Sequence, residues 1–256
     1  MIPIKTENQI KMMKEGGKRL SWVMEKILKE VKTGVALFQL DKLAEDLIKK
    51  QGGKPSFKMV PKYHWATCIN INEGVVHGIP DTYQLKENDL MKIDIGMFYR
   101  GLHTDMARTI LVQTTNNREQ GGEKKRFLRV GEKALRKAIR VAKAGNRVGH
   151  ISQAIEEEVR KAGFSPIEVF SGHGVGEKLH EEPQIPCLLV EKIERTPLLK
   201  KGVVLAVEVI YAQGKPEVVL GHDGWTVKTA DGRLAGLFED TIIIQTKKPL
   251  VLTALD

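Results

Sequence analysis

Cysteine is scarce in this chain: Cys68 and Cys187 are the only two in 256 residues. Two thiols cannot form a disulfide framework or a cysteine-rich zinc site, and their rarity suits a reducing, cytoplasmic setting. Long apolar runs are also missing. The longest candidate, Val203 to Ala212, carries Glu208 in its middle, so no membrane-spanning helix is expected. The opening residues, Met1-Ile-Pro-Ile-Lys-Thr-Glu7, lack the apolar core of a secretory signal. Acidic residues are outnumbered, 32 against 41 Lys and Arg, which leaves a formal charge of +9. That excess permits contact with nucleic acid or another polyanion and supports solubility. With 41% hydrophobic residues, whole-chain disorder is excluded.

What is present begins with a repeat. Residues 31–52 align without a gap to residues 142–163, at an offset of 111. Gly34 falls on Gly145, Leu40 on Ile151 and Gly52 on Gly163. Each copy reads as a long amphipathic helix, about Ile10–Lys32 and Lys125–Lys143, then a glycine turn, then a second helix. The second helices are expected to start at the capping residues Asp41 and Ser152 and to stop at Gly52 and Gly163. Farther on, the run from Leu85 to Asp94 echoes that from Leu199 to Glu208. The polar start of each predicts a turn and the apolar remainder a buried strand. The reading is one domain, 1–256, made of two helix–helix–strand–strand halves at about 1–112 and 123–256, with a surface link at Gln113 to Gly122. Two like halves put equivalent residues face to face at their join, where a site is expected.

Acids stand where hydrophobes belong. Glu208 lies inside Val-Val-Leu-Ala-Val-Glu-Val-Ile-Tyr-Ala and Asp94 inside Leu-Met-Lys-Ile-Asp-Ile-Gly. A buried ionised carboxylate must be paired, protonated or metal-bound. One such acid is ordinarily a salt bridge; two at equivalent positions of a repeat point elsewhere. Asp105, after Gly101-Leu-His-Thr, and Glu239 or Asp240, after Gly236-Leu-Phe, open two further strands. Spacing alone does not decide between Glu239 and Asp240. His173 sits among Gly172, Gly174 and Gly176, which lets the backbone approach another atom closely. His180 follows seven residues later, so this is not the helical two-histidine zinc pattern. Four carboxylates with one or two histidines suit Mn(II), Fe(II), Co(II) or Zn(II), and two ions more readily than one. His77 stands in a polar run of its own; His64, His103, His150 and His222 have no such context.

Several stretches, taken in order, resemble one family. They are Cys68-Ile-Asn-Ile-Asn-Glu-Gly-Val-Val-His-Gly-Ile-Pro80, Lys92-Ile-Asp94, His103-Thr-Asp105, Gly172-His-Gly-Val-Gly176, Leu179-His-Glu-Glu-Pro183, Ala206-Val-Glu208, Asp223-Gly-Trp-Thr226 and Phe238-Glu-Asp-Thr241. They are similar to the motifs of type I methionine aminopeptidases in metallopeptidase family M24, over essentially the whole chain. The resemblance implies the pita-bread fold: an α/β protein of α+β type, with two related halves around a curved, mostly antiparallel sheet. It implies removal of the N-terminal methionine of nascent polypeptides before a small second residue. It places Asp94, Asp105, His173, Glu208 and Glu239 as ligands of two divalent metal ions, which favours Glu239 over Asp240. Glu208 is implied as proton shuttle, and His77 and His180 as catalytic groups touching the substrate near the metals. Phe57, Tyr63, Cys68, Leu179 and Trp225 are implied to line the methionine pocket.

The chain departs from the usual bacterial pattern at Phe57, where cysteine is common, and at Leu179, where phenylalanine is common. Val209 replaces a proline and Asp240 a histidine. One wall grows while another shrinks, so pocket volume is expected to be kept. A monomer is expected, and a basic rim facing the ribosome is a further implied contact. The other readings are a proline-type aminopeptidase of the same fold and a non-catalytic ribosome- or RNA-binding relative. The first generally carries a large extra N-terminal domain; the second loses ligands that are all present here.

Overall fold

The computed structural model describes residues 2–112 and 122–255; the expected link at Gln113 to Gly122 falls outside them except for Gly122. Four helices stack on the back of a sheet: α1 (Glu7–Glu30), α2 (Leu37–Lys50), α3 (Gly122–Val141) and α4 (Val148–Lys161). Seven strands carry most of that sheet: β1 (Thr67–Ile71), β2 (Leu90–Tyr99), β3 (Leu102–Leu111), β4 (Ser171–Gly174), β5 (Glu181–Pro186), β6 (Val204–Ala212) and β7 (Ala235–Ile243). Their spatial order is β2-β3-β7-β6-β4-β5, with β1 beside β2 and β5 at the far edge. All these pairings are antiparallel. The expected mixed architecture with a mostly antiparallel sheet is therefore what the chain adopts. Residues 218–220, 227–229 and 74–76 form a small second sheet.

Strand alternation divides the two faces of the sheet. On β2, Ile93, Ile95 and Met97 are fully buried against Leu20, Met24 and Ile27 of α1. Lys92, Asp94 and Gly96 take the other face. On β6, Val207 and Val209 pack under α3 and α4 with Phe127, Ala134 and Ile155. The two central strands, β3 and β7, share only the registered pairs Glu239–Ala107 and Asp240–Met106. Threonine hydroxyls extend the seam. Thr241 Oγ1 accepts from the Asp105 amide at 2.9 Å and donates to the Asp105 carbonyl at 2.7 Å. Thr109 Oγ1 does the same for Leu237, at 2.8 and 2.6 Å. Behind the seam, Arg108 donates to the Glu239 carbonyl at 2.6 Å and to Asp240 Oδ1 at 2.7 Å.

The repeat has a structural counterpart. α2 and α4 are 14 residues each and start 111 residues apart. Both end before a glycine in the left-handed region, Gly52 at φ 77° and Gly163 at φ 82°, a conformation that favours glycine as helix stop. The expected starts at Asp41 and Ser152 are corrected: the helices begin four residues earlier, after Ala36 and Arg147. The reason is that capping acceptors come from distant chain. The Leu37 and Phe38 amides donate to the carbonyls of Tyr83 and Asp81. The Val148 amide donates to the Pro197 carbonyl, and that of Gly149 to Thr196 Oγ1. Asp41, inside α2, instead accepts from the Ala66 and Thr67 amides and the Thr67 hydroxyl, all at 2.8–2.9 Å. α1 and α3 also begin three residues ahead of expectation. At α1 the cause is a capping box between Thr6 and Gln9.

The segment before α1 crosses to the far half of the sheet. The Lys5 amide donates to the Gly202 carbonyl at 2.9 Å. Its ammonium meets Glu181 Oε2 at 2.5 Å, with the two side chains only 3% and 8% exposed. Removing one partner of such a buried pair leaves an uncompensated charge. Lys5→Met should therefore lower stability by about 3–5 kcal/mol in urea unfolding, and the double change Lys5→Met with Glu181→Met should recover most of it.

Candidate metal centre

Register places the acids. Across the site face, Cys68 on β1 pairs with Asp94 on β2, Asp94 with Ala107 on β3, Ala107 with Glu239 on β7, and Glu239 with Glu208 on β6. Cross-strand partners share a face, so Asp94, Glu239 and Glu208 point the same way. Asp105 lies two residues before Ala107 and joins them, opposite the side-chain-free Gly96. His173 on β4 pairs with Ala206, two residues before Glu208, and joins the same face. Gly172 and Gly174 make that approach possible: a Cβ on either would come within 2.6 Å of the Ala206 carbonyl oxygen or 2.2 Å of that of Glu182. Asp240 points to the other face, against Arg108 and Thr253.

Ligand atoms of Asp105, His173 and Glu239 lie within 4.8 Å of one another, all buried. Along the sheet Asp94 stands outside Asp105, and Glu208 stands between Glu239 and His173, both half-buried in the wall of the cavity. Burial, then the charges of Asp105 and Glu208, raises Asp94 well above the usual carboxylate range. Burial, then Asp105 and Asp94, does the same to Glu239. Burial pushes Asp105 up to about 7, and burial with Asp105 nearby pushes Glu208 up to about 8. Burial, with His180 beside it, lowers His173 to about 4.

This donor set fits a divalent metal ion. Four carboxylates converge, and the one lysine or arginine among the described residues lining the cavity is the exposed Lys178. The buried Asp94 Oδ1 has no hydrogen-bond partner. Oxygen-rich donors with one imidazole, short of positive charge, are what such an ion satisfies.

All twelve residues singled out in the sequence line one cavity of about 880 Å³. Phe57, Tyr63, Cys68 and Leu179 pack into an apolar cluster with Trp225 against it, and Trp225 meets the Tyr63 ring edge-on at 5.1 Å. This cluster sits at the β1 end of the acid row. His180 abuts His173, ring centres 4.4 Å apart. His77 is held at φ 58°, its ring 5.6 Å from Phe170. Both His77 and His180 are exposed to the open cavity, and burial of their inner surfaces lowers both pKa values. Phe170 and Val60 also belong to the cavity and were not foreseen, since neither lies in a polar or glycine-rich motif. Arg108 was missed too; an arginine in an apolar strand beside Asp105 was a usable signal. Of the histidines set aside, His103 is a satisfied core residue bonded to Ser56 Oγ at 2.8 Å, and His150 receives the Arg147 amide at 3.0 Å.

The profile of metallopeptidase family M24 matches residues 11–246. A methionine aminopeptidase of Clostridium perfringens is 37% identical over 255 residues, covering 100% of both chains. Methionine aminopeptidase 1 of Bacillus subtilis is 39% identical over 244 residues, 95% of this chain and 96% of that one. The crystal structure of the methionine aminopeptidase from Thermotoga maritima superposes with a TM-score of 0.92, at 38% identity over 99% of each chain.

The carboxylates set a pH signature. Their folded pKa values are raised, so the metal-free native state holds protons that the unfolded chain has released, and it loses stability as pH climbs from about 4 towards 8. The lowered His173 acts oppositely, with stability rising from about 4 to 6.5, and the buried Lys92, lowered to about 7, adds stability above that value. A cation that displaces the carboxyl protons binds better at higher pH. The rise in Tm on adding Mn(II) to chelator-treated protein should thus be larger at pH 8 than at pH 6, as read by thermal unfolding.

Proposed function

The chain belongs to metallopeptidase family M24, and we propose that it removes the N-terminal methionine from nascent polypeptides whose second residue is small. The observation that supports this most is one juxtaposition. A five-residue donor set lies on a single sheet face, with an apolar hollow at one end and two accessible histidines beside it.

Asp94, Asp105, His173, Glu208 and Glu239 are the residues that would hold two divalent ions, of the Mn(II), Fe(II), Co(II) or Zn(II) class. Bound there, such ions supply Lewis acidity and a water of lowered pKa. The substrate's methionine side chain enters the hollow of Phe57, Tyr63, Cys68, Leu179 and Trp225, which excludes water and sets the scissile bond over the acids. Phe57 and Leu179 both close parts of that wall, and the hollow takes an unbranched thioether. His180, whose pKa burial lowers, donates a hydrogen bond to the scissile carbonyl oxygen. A carboxylate oxygen of Glu208 takes a proton from the water that adds to the scissile carbonyl carbon and passes it to the nitrogen as the C–N bond breaks. His77, aimed into the cavity by its backbone and braced by Phe170, hydrogen-bonds that same nitrogen.

The enzyme is proposed to act as a cytoplasmic monomer on chains at the ribosome. No helix among the described residues is long and apolar enough to cross a membrane. On α3, Arg126, Arg129, Lys133, Arg136 and Arg140 are exposed, and phosphate-rich RNA complements such a face.

Two outcomes check this reading. Glu208→Gln should keep the fold by circular dichroism and lose at least about 10²-fold in kcat on Met-Ala-Ser, while wild-type enzyme releases methionine faster than leucine from Leu-Ala-Ser. Ribosomes should carry the protein down in co-sedimentation at low salt and release it as salt rises; no binding even at low salt contradicts the ribosome contact.

A further inference from the structure

The sheet carries a direction. The apolar hollow lies at its β1 end, the acids span β2, β3, β7 and β6, and beyond them come His173 on β4 and then the edge strand β5. A polypeptide whose first side chain fills the hollow, with its scissile bond at the acids, must leave towards β5. His173 pairs with Gln184, so the site face of β5 presents the alternate residues Glu182, Gln184 and Pro186. Glu182 and Gln184 are exposed, and their side chains make no hydrogen bond or ion pair among the described residues.

A second hollow, of about 230 Å³, lies beside this edge strand. Glu182 and Gln184 line both it and the catalytic cavity, so the two meet over the edge of β5. Its lining includes the buried Gly149 together with Leu189, the two-thirds exposed Val190, and Glu191. The Glu191 side chain is exposed and likewise unpaired. The hollow thus combines apolar surface with two carboxylates that pair with no cation among the described residues.

We propose that the substrate polypeptide runs from the catalytic cavity across the edge of β5 into this second hollow, where Glu182 and Glu191 favour a basic side chain. This rests on the aminopeptidase reading above and adds a subsite to it. Strand spacing gives the position. Two inter-strand steps from β6 to β5 cover about 10 Å, and an extended chain rises about 3.3 Å per residue. About three residue spacings, from residue one to residue four, make the crossing, so residues four to six of the substrate occupy the hollow. Each exposed ion pair is worth about threefold within its usual range, so the two together multiply to a preference of about tenfold.

The test uses metal-loaded enzyme on Met-Ala, Met-Ala-Ser-Lys-Lys-Gly and Met-Ala-Ser-Glu-Glu-Gly. The lysine peptide should exceed the glutamate peptide by about tenfold in kcat/KM, mostly through KM, with the gap narrowing in high salt. The double variant Glu182→Lys with Glu191→Lys should invert the ratio, and Glu191→Lys alone, at a position remote from the acids, should reduce it. Equal kcat/KM for the two hexapeptides in wild type, or a ratio untouched by these variants, would overturn the proposal. Failure to release methionine even from Met-Ala would overturn the aminopeptidase reading and this one with it.

Discussion

Four carboxylates held on one sheet face constrain everything around them. Two unit charges about 5 Å apart at an effective dielectric of about 20 repel by about 3 kcal/mol, and this face carries several such pairs. Without cations the acids favour their protonated forms: burial raises all four, and the charge of neighbouring acids adds to the rise at Asp94, Glu208 and Glu239. With divalent cations the same repulsion becomes affinity. The sheet supplies the rigidity that keeps the acids from separating. Asp105 is fixed through its own amide and carbonyl by Thr241, and Glu239 through its carbonyl by Arg108. The seam between β3 and β7 is thus bonded most heavily where two acids meet.

Around this centre the chain separates rigid from accessible groups. His173 is buried and fixed by its ring bond to the Gly174 carbonyl at 2.9 Å. His180 and His77 reach open cavity from turns. The His180 turn is tied to the opening segment of the chain, because Glu181 faces Lys5 and Glu177 accepts from Gln9. A reactive residue on a loop is positioned here by a buried ion pair in its neighbour.

Much of this was legible in the sequence, and the reasons differ by element. The repeat was readable because glycines with left-handed backbone must recur where helices stop, as at Gly52 and Gly163. Asp94 and Glu208 were readable because an acid in an apolar strand carries a large desolvation cost and so signals a partner. The choice of Glu239 over Asp240 was not readable from spacing; it depends on which face β7 turns to β6, a tertiary fact, and Arg108 on the opposite face accounts for Asp240. The helix starts at Leu37 and Val148 escaped local reading because their capping oxygens lie more than forty residues away, on Tyr83, Asp81 and Pro197. Phe170 and the second hollow escaped because a cavity is made by packing elements that are distant in sequence.

The most direct test of the account is anaerobic purification, removal of metal and titration with Mn(II), Fe(II), Co(II) and Zn(II), counting bound ions while following hydrolysis of Met-Ala-Ser. The account predicts up to two ions per chain, with methionine release appearing as they bind, and loss of both when Asp105 and Glu239 are replaced by Ala. A protein that binds no divalent ion, or that releases methionine at full rate without one, would contradict it.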